Sequence, residues 1–283
     1  MNFKINDITF VIVVYRSEEI IHKCLSSLPK ECKKIIIENS NNTYLSKDLT
    51  SNYDNIEVIL SENNGMGSGN NIGLKSCKTR LAYVINPDVH FKEDTLNILL
   101  QELNKYPDFT LASPLNSDKK IPNFKIFNTD NKNYSENIKS VDRIDGFSMI
   151  FNLEKFKNKI FFDENFFLFL ENDDLCLRVK EKNEKIFIIS NAIIHHSGGI
   201  GKDDQLEYLR NWHWMWSKYY FNKKHYGTNA AIKKVFFNFI SASLKYIIYS
   251  ISFNKHMKKI YQMRLCGLIM SFLGKRSFLR PKD

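Results

Sequence analysis

Cysteine is scarce in this chain of 283 residues and badly placed for bridging. Cys24, Cys32, Cys77, Cys176 and Cys266 are odd in number, scattered, and never in C-x-x-C spacing. That pattern excludes a disulfide framework and a cysteine zinc site, and it fits a reduced compartment. No run of about 18 uninterrupted apolar residues exists, so no segment reads as membrane-spanning. The opening Met1-Asn-Phe-Lys-Ile-Asn-Asp7 is too polar for a secretory signal. Internal repeats and low-complexity tracts are missing as well. These absences imply a cytoplasmic globular protein, and a composition of 43% hydrophobic and 25% charged residues suits a sizeable core.

Acid is nearly missing from the last quarter. Residues 218–283 carry fourteen Lys and Arg against one acid, whereas residues 1–217 carry 27 basic and 30 acidic side chains. The whole formal charge of +10 therefore resides at the C-terminal end, as expected of a tail that meets something anionic. In that tail Ile232, Val235, Phe236, Ile240, Leu244 and Ile248 follow helical spacing, with Lys233, Lys234 and Lys245 off the stripe. A basic, aromatic helical extension of this kind suits an anionic membrane surface. Its competing use is packing on the rest of the chain or in a homodimer. No recognised nucleic-acid-binding motif accompanies the charge, so nucleic acid is not expected as a partner.

The remaining residues read as strands alternating with helices. Residues 8–14 form a continuous β-branched apolar run, the pattern of a strand covered on both faces. Ser17 is placed to cap a helix whose stripe is Ile20, Cys24, Leu25 and Leu28, stopped by Pro29. Further strands are expected at 34–37, 56–60, 81–85, 109–112, 145–151 and 186–189, and helices at 93–105, 174–182 and around Trp212, Trp214 and Trp216. A Gly-rich segment, 63–74, leads into a short helix, and 113–141 reads as a polar surface excursion. The implied class is α/β with a mostly parallel, Rossmann-like sheet flanked by helices.

Two acidic features carry chemistry. Asn86-Pro87-Asp88 directly follows the apolar run 81–85, which puts Asp88 at the carboxyl edge of a sheet, where open α/β folds bind ligands. A single carboxylate holds Mn²⁺ or Mg²⁺ poorly, so a diphosphate and a second protein ligand are needed. His195-His196-Ser-Gly-Gly199, expected in a loop after the last strand, could supply that ligand. The run Glu171-Asn172-Asp173-Asp174 lies between a Phe-rich stretch and an amphipathic one, where partial burial would raise a carboxylate toward the range useful in a general base. The Gly-rich segment lacks the G-x-G-x-x-G register and does not follow the first strand, so a dinucleotide fingerprint is excluded. Its Gly65 and Gly69 would admit a ligand to the backbone, while Asn70 and Asn71 offer amides to a base or ribose.

Taken in order, these residues resemble the family 2 inverting glycosyltransferases of GT-A fold, in particular the rhamnosyltransferase-like branch of bacterial surface polysaccharide synthesis such as O-antigen or capsule. The matching stretches are Val13-Val14-Tyr15 with Ser17, Ile37-Glu38-Asn39-Ser40, Asn64-Gly-Met-Gly-Ser-Gly-Asn-Asn-Ile-Gly73 and Asn86-Pro-Asp88. They continue through Asp145-Gly146, Phe162-Asp-Glu-Asn-Phe-Phe167, Glu171-Asn-Asp-Asp-Leu-Cys-Leu-Arg178, His195-His-Ser-Gly198 and Tyr208-Leu-Arg-Asn211. The resemblance implies that Tyr15, Glu38, Asn39, Gly65, Gly69, Asn70, Asn86, Asp88 and Arg210 hold a nucleoside-diphosphate sugar. Asp88 with His195 or His196 would bind Mn²⁺ or Mg²⁺, and Asp145, Gly146 and Asn172 would line the acceptor side. The acceptor would be a glycan linked to polyprenyl diphosphate, at the cytoplasmic face of the inner membrane. Residues 1–217 would be the transferase domain, with 1–90 as its donor half and 91–217 as its acceptor half, and 218–283 the tail.

Two departures from the family pattern stand out. Glu38 replaces the usual Asp, and Asn172 stands where the family's Glu-Asp-x-Asp-Leu places its presumed base. An amide cannot accept that proton, so the catalytic acid is expected to be Asp173, then Glu171, with Asp174 beside them. Asn172 also keeps alive a catalytically impaired subunit that binds nucleotide sugar as a scaffold. A sugar nucleotidylyltransferase would need a Gly-rich phosphate loop straight after the first strand, and Tyr15-Arg16-Ser17 offers none.

Overall fold

The computed structural model describes residues 2–118, 120–127, 133–198 and 204–281. Gly199, at the end of the histidine motif, and parts of the 113–141 segment lie outside the described residues. The chain divides into two compact units, residues 1–163 with 172–199 and residues 164–171 with 200–283.

In the first unit the elements follow one another as β1 (Ile8–Val14), α1 (Glu18–Ser26), β2 (Lys33–Glu38), α2 (Thr43–Asn52), β3 (Ile56–Leu60), α3 (Met66–Ser76), β4 (Leu81–Ile85), β5 (Val89–Phe91) and α4 (Thr95–Lys105). Next come β6 (Leu111–Asn116), the short β7 (Phe124–Lys125), β8 (Ile138–Ser140), β9 (Arg143–Ile144), β10 (Ser148–Asn152), α5 (Glu171–Glu181) and β11 (Ile186–His196). The main sheet runs in the order β3-β2-β1-β4-β10-β6-β11-β5, with β8 also on β11. Its first half is parallel, β1 lying between β2 and β4. The second half is mixed: β10 runs antiparallel to both β4 and β6, and β11 is parallel to β6 but antiparallel to β5 and β8.

Strand alternation sorts the core into two layers. Ile8, Phe10, Ile12 and Val14 of β1 pack with Ile21 and Leu25 of α1 and with Leu99 and Leu103 of α4. Val11, on the other face of β1, packs with Leu74 of α3 and Leu175 and Val179 of α5. The glycines of α3 explain how that helix lies so close to β1. A Cβ on Gly73 would collide with Val11 Cγ1, and one on Gly69 would sit 2.9 Å from Val13 Cγ2. Both glycines thus let α3 pack closely on β1.

Three local expectations are corrected. Ser17 precedes α1 but makes no side-chain cap, because its hydroxyl donates to Tyr15 O. The acidic cluster opens α5, which begins at Glu171. The histidine pair belongs to β11, which continues past a register shift between Ile189 and Ile193 and so carries both residues on a strand.

The second unit is helical: α6 (Asp204–Ile251) and α7 (Lys255–Phe272) pack along each other, and α6 kinks at Gly227, whose φ of 83° suits glycine. Gly267 of α7 meets the Trp212 carbonyl, where a Cβ would collide. The segment after α7 is tied back by the Trp216 indole, which donates to Lys275 O at 3.0 Å. His213 is wholly buried between the Leu279 carbonyl at 2.9 Å and the Ser277 hydroxyl at 2.9 Å, its ring stacked on Phe167 at 4.5 Å. Burial pushes its pKa down to about 4. The expected domain boundary at 217 falls inside α6.

Candidate active site

Parallel strands that end together leave their following residues at one edge. β1 and β2 end in register at Val14 and Glu38, and β4 ends at Ile85 opposite Ile12, so Tyr15, Asn39 and Asn86 leave the sheet at the same edge, Asn86 two residues earlier. Glu38 is fully buried, and its carboxylate accepts from the Ser40 amide at 3.0 Å, from the Ser40 hydroxyl and from the Asn42 amide. It thereby shapes the loop that leads into α2. Asn39 donates its backbone amide to Val14 O at 2.9 Å, and its buried Oδ1 has no hydrogen-bond partner among the described residues. Gly65 precedes α3 with φ of 102°, and Asn70 is buried on that helix. Its neighbour Asn71 is committed elsewhere, exchanging two 2.9 Å hydrogen bonds with the Phe162 backbone.

The turn after β4 places Asp88 beside β11. Asn86 donates to Phe147 O and accepts from Val89 N, and the Asp88 carbonyl accepts from Ser197 N at 3.1 Å. These bonds bring Asp88 Oδ2 to 3.2 Å from His196 Nε2. The His196 ring stacks on Phe147 at 4.0 Å with a 7° interplanar angle, and its backbone amide faces Asn116 Oδ1 at 3.4 Å. His195 is exposed, with Nδ1 on the Ser117 hydroxyl at 3.0 Å. Consecutive strand residues point to opposite faces, so the structure joins His196 to Asp88 and leaves His195 apart. Cys24, buried nearby, has its thiol pushed up to about 12 by burial first and by the Asp88 charge second.

The acidic cluster is divided by its helix. Asp174 has no exposure and is held by Arg178 Nε at 2.8 Å, while Arg178 also donates to Phe161 O. Asp173 is ion-paired with Arg143, whose guanidinium lies over the Phe127 ring at 4.8 Å. Asn172 donates its amide to Ile144 O at 3.1 Å and stands against Gly146, where an added Cβ would be 3.5 Å from Asn172 Cβ. Asp145 is raised above the usual carboxylate range, chiefly by burial and further by the Asp173 charge, with Lys125 and His196 opposing. Asp88, His196, Asp145, Asn172 and Asp173 thus share one unit. Glu171, buried at the start of α5, and Arg210, half-buried on α6, are grouped with the helical unit.

A profile described as Glycosyl transferase family 2 matches residues 9–152. The chain belongs to this family. The chain is 24% identical over 200 residues to the low-salt glycan biosynthesis hexosyltransferase Agl10 of Haloferax volcanii, covering 64% of each protein. It therefore spans less than two thirds of that relative. It is 26% identical over 207 residues to the rhamnosyltransferase WbbL of Escherichia coli K12, covering 60% of this chain and 75% of that protein. In fold it is similar to the mannosyltransferase PcManGT of Pyrobaculum calidifontis, solved with GDP-Man and Mn²⁺, at a TM-score of 0.59 and 9% identity over 95% of this chain and 88% of that one. A second similar fold is GalNAc-T7 with UDP, GalNAc and Mn²⁺, at 0.55 and 12%, over 83% of this chain and 57% of that one. The family 2 chain thus has the GT-A fold, carrying a helical C-terminal extension.

The donor set at Asp88 fits a divalent cation. One carboxylate oxygen and one imidazole nitrogen already meet at 3.2 Å, a mixed oxygen and nitrogen pair suited to Mn²⁺, with coordination left for diphosphate oxygens. Among the described residues the group of three close metal-type ligands lies elsewhere, at Asp204, Glu207 and His256. Sequence reasoning missed Arg143, Phe147, Asn116 and Ser117. Arg143 stands two residues before Asp145-Gly146, between the polar 113–141 segment and the strand expected at 145–151, and the ring of Phe147 gives no sign in the sequence that it stacks on a histidine from β11.

Proposed function

We propose that the chain is a metal-dependent inverting glycosyltransferase, moving a hexose or rhamnose from a nucleoside-diphosphate sugar to a hydroxyl of a lipid-linked surface glycan. The observation that carries this reading is the Asp88–His196 pair at the carboxyl edge of β4, in the same unit as Asp145 and Asp173. Support comes from the names of the hexosyl- and rhamnosyltransferase relatives and from similar folds solved with a nucleotide sugar or its parts and Mn²⁺.

The donor's base and ribose would lie along Tyr15, Asn39, Gly65, Gly69 and Asn70, with Glu38 holding their loop in shape. Asn39 Oδ1 then gains the donor group it lacks. Asp88 and His196 would hold Mn²⁺ or Mg²⁺, which supplies positive charge where the departing diphosphate becomes more negative. Asp145, Gly146 and Asn172 would form the acceptor side.

Asp173 would take the proton from the acceptor hydroxyl as its oxygen bonds to the anomeric carbon and the diphosphate leaves from the opposite face. Arg143 fixes the direction of that carboxylate. Asp145 is a second candidate for the base, because its raised pKa brings it nearer the range of an effective proton acceptor. The purified protein, given a panel of nucleotide sugars, Mn²⁺ and a polyprenyl-diphosphate acceptor mimic, should yield a product of inverted anomeric configuration. Donor binding without any product from the panel would favour the scaffold reading, which rests on Asn172. Conversion of a sugar phosphate and nucleoside triphosphate would favour nucleotidylyl transfer.

A further inference from the structure

The helical unit carries an apolar face that its own described residues leave exposed. After the kink at Gly227, α6 turns Ala231, Val235 and Ala242 inward, all of them buried, Ala231 and Val235 in one cluster with Leu268 of α7. Val235 therefore leaves the stripe expected from the sequence and joins the internal packing. The opposite side of the same helix, at the spacing Phe236, Ile240, Leu244, Ile247 and Ile251, is exposed to between 38% and 72%. Beyond it, Phe253 is 87% exposed. A contiguous face of this kind is far from the single exposed apolar residues found on any surface, and it marks a site of association.

The charge around that face selects its partner. Described residues 218–281 carry thirteen Lys and Arg and no acid. A symmetric pairing of two copies through this face would bring two such sets of cations together with no acid from either helical stretch between them. An anionic leaflet instead offers apolar chains to the Phe and Ile side chains and negative headgroups to the lysines, whose long stems reach from the helix flank to that level. No helix among the described residues is long and apolar enough to cross a membrane, so the arrangement is one of lying on the surface.

We infer that the exposed face of α6 from Ile232 to Ile251, with Phe253 beyond it and with Lys233, Lys234 and Lys245 of the same helix and Lys255, Lys258 and Lys259 of α7 supplying positive charge, docks on a phospholipid surface of anionic headgroups. This deepens the proposed function and rests on it, since a polyprenyl-linked acceptor resides in such a leaflet. The sugar acceptor would then be met by a transferase already held at its surface.

Flotation of the full chain with vesicles tests the inference. Vesicles of phosphatidylglycerol mixed with phosphatidylcholine should bind at least tenfold more protein than phosphatidylcholine alone, and binding should fall as salt screens the headgroups. The triple variant Phe236→Glu, Ile240→Glu, Ile247→Glu should lose flotation while keeping its melting temperature, because all three side chains already face outward. If that variant proves unstable, Lys233→Glu, Lys234→Glu and Lys245→Glu together should remove the preference for anionic vesicles. Equal binding to both vesicle types, or no flotation together with a wild-type dimer by light scattering that the triple variant dissociates, would overturn the inference. Nucleotide-sugar binding is measured on the same samples without vesicles. Donor binding without flotation contradicts the docking alone, and flotation without donor binding contradicts the transferase reading alone.

Discussion

His196 Nε2 lies 3.2 Å from Asp88 Oδ2, although one residue ends β11 and the other follows β4. The contact exists because β5 pairs antiparallel with the end of β11, so that Val89 faces His196 across the strands. Phe147, which follows the turn at Asp145-Gly146, stacks flat on the imidazole and fixes its plane. One pair of side chains thus links the donor end of the sheet to the turn that leads into β10. The same linkage runs through charge, since His196 is among the groups acting on Asp145.

Asp173 and Asp145 are separable by substitution. With Asp173 as the base, Asp173→Asn should lower kcat by about 10²–10⁴ with little change in donor affinity. Asp145→Asn should then act mainly on the acceptor KM. The opposite pattern, a large kcat loss in Asp145→Asn and a modest one in Asp173→Asn, would transfer the role to Asp145. Steady-state kinetics with the acceptor varied at saturating donor decides between them.

Restoring the family's acid at position 172 should not produce a better enzyme. The Asn172 amide donates to Ile144 O at 3.1 Å, and a carboxylate there would face that carbonyl with no proton to give. Asn172→Asp should lower stability by about 1–3 kcal/mol, read as a lower denaturant midpoint, with turnover unchanged or reduced. A clear gain in kcat would show that position 172 still points at the acceptor and that the missing base limits the rate.

The strands of the parallel half were legible because β1 and β4 are buried on both faces and β2 carries three buried isoleucines in a row, so each holds a continuous stretch of mostly apolar residues. Asp88 followed from the same logic, since its place after β4 fixes it at the sheet edge. The extent of β11 was not legible: Asn191 and the histidines look like loop residues, yet pairing with β6 and β5 carries the strand through them. The close approach of Gly69 and Gly73 to Val13 and Val11 was not legible, because glycine that admits a ligand and glycine that admits a neighbouring strand are the same residue in sequence. The pairing of Arg143 with Asp173 depends on where α5 lies against β9, a tertiary relation with no periodic trace.

Acid should weaken the helical unit through His213. Its pKa falls from 6.5 to about 4 on burial, so between those values the unfolded chain binds a proton that the folded chain refuses. Stability from this residue is complete above pH 6.5, declines as pH falls toward 4, and changes no further below it. The full loss is on the order of 3 kcal/mol. A His213→Gln variant, which keeps a polar side chain in the site without titrating in this range, should show a flatter dependence of melting temperature between pH 6.5 and 4. An equally steep profile in the variant would place the acid sensitivity elsewhere.

The most direct measurement is calorimetric titration of nucleoside-diphosphate sugars into the wild-type protein and into Asp88→Asn, each with and without Mn²⁺. The account predicts that at least one donor binds the wild type, that Mn²⁺ strengthens binding tenfold or more, and that Asp88→Asn removes the Mn²⁺ dependence while leaving the melting temperature of the protein unchanged. Donor binding of equal strength in both proteins, indifferent to Mn²⁺, or no donor binding by the folded wild type would contradict it.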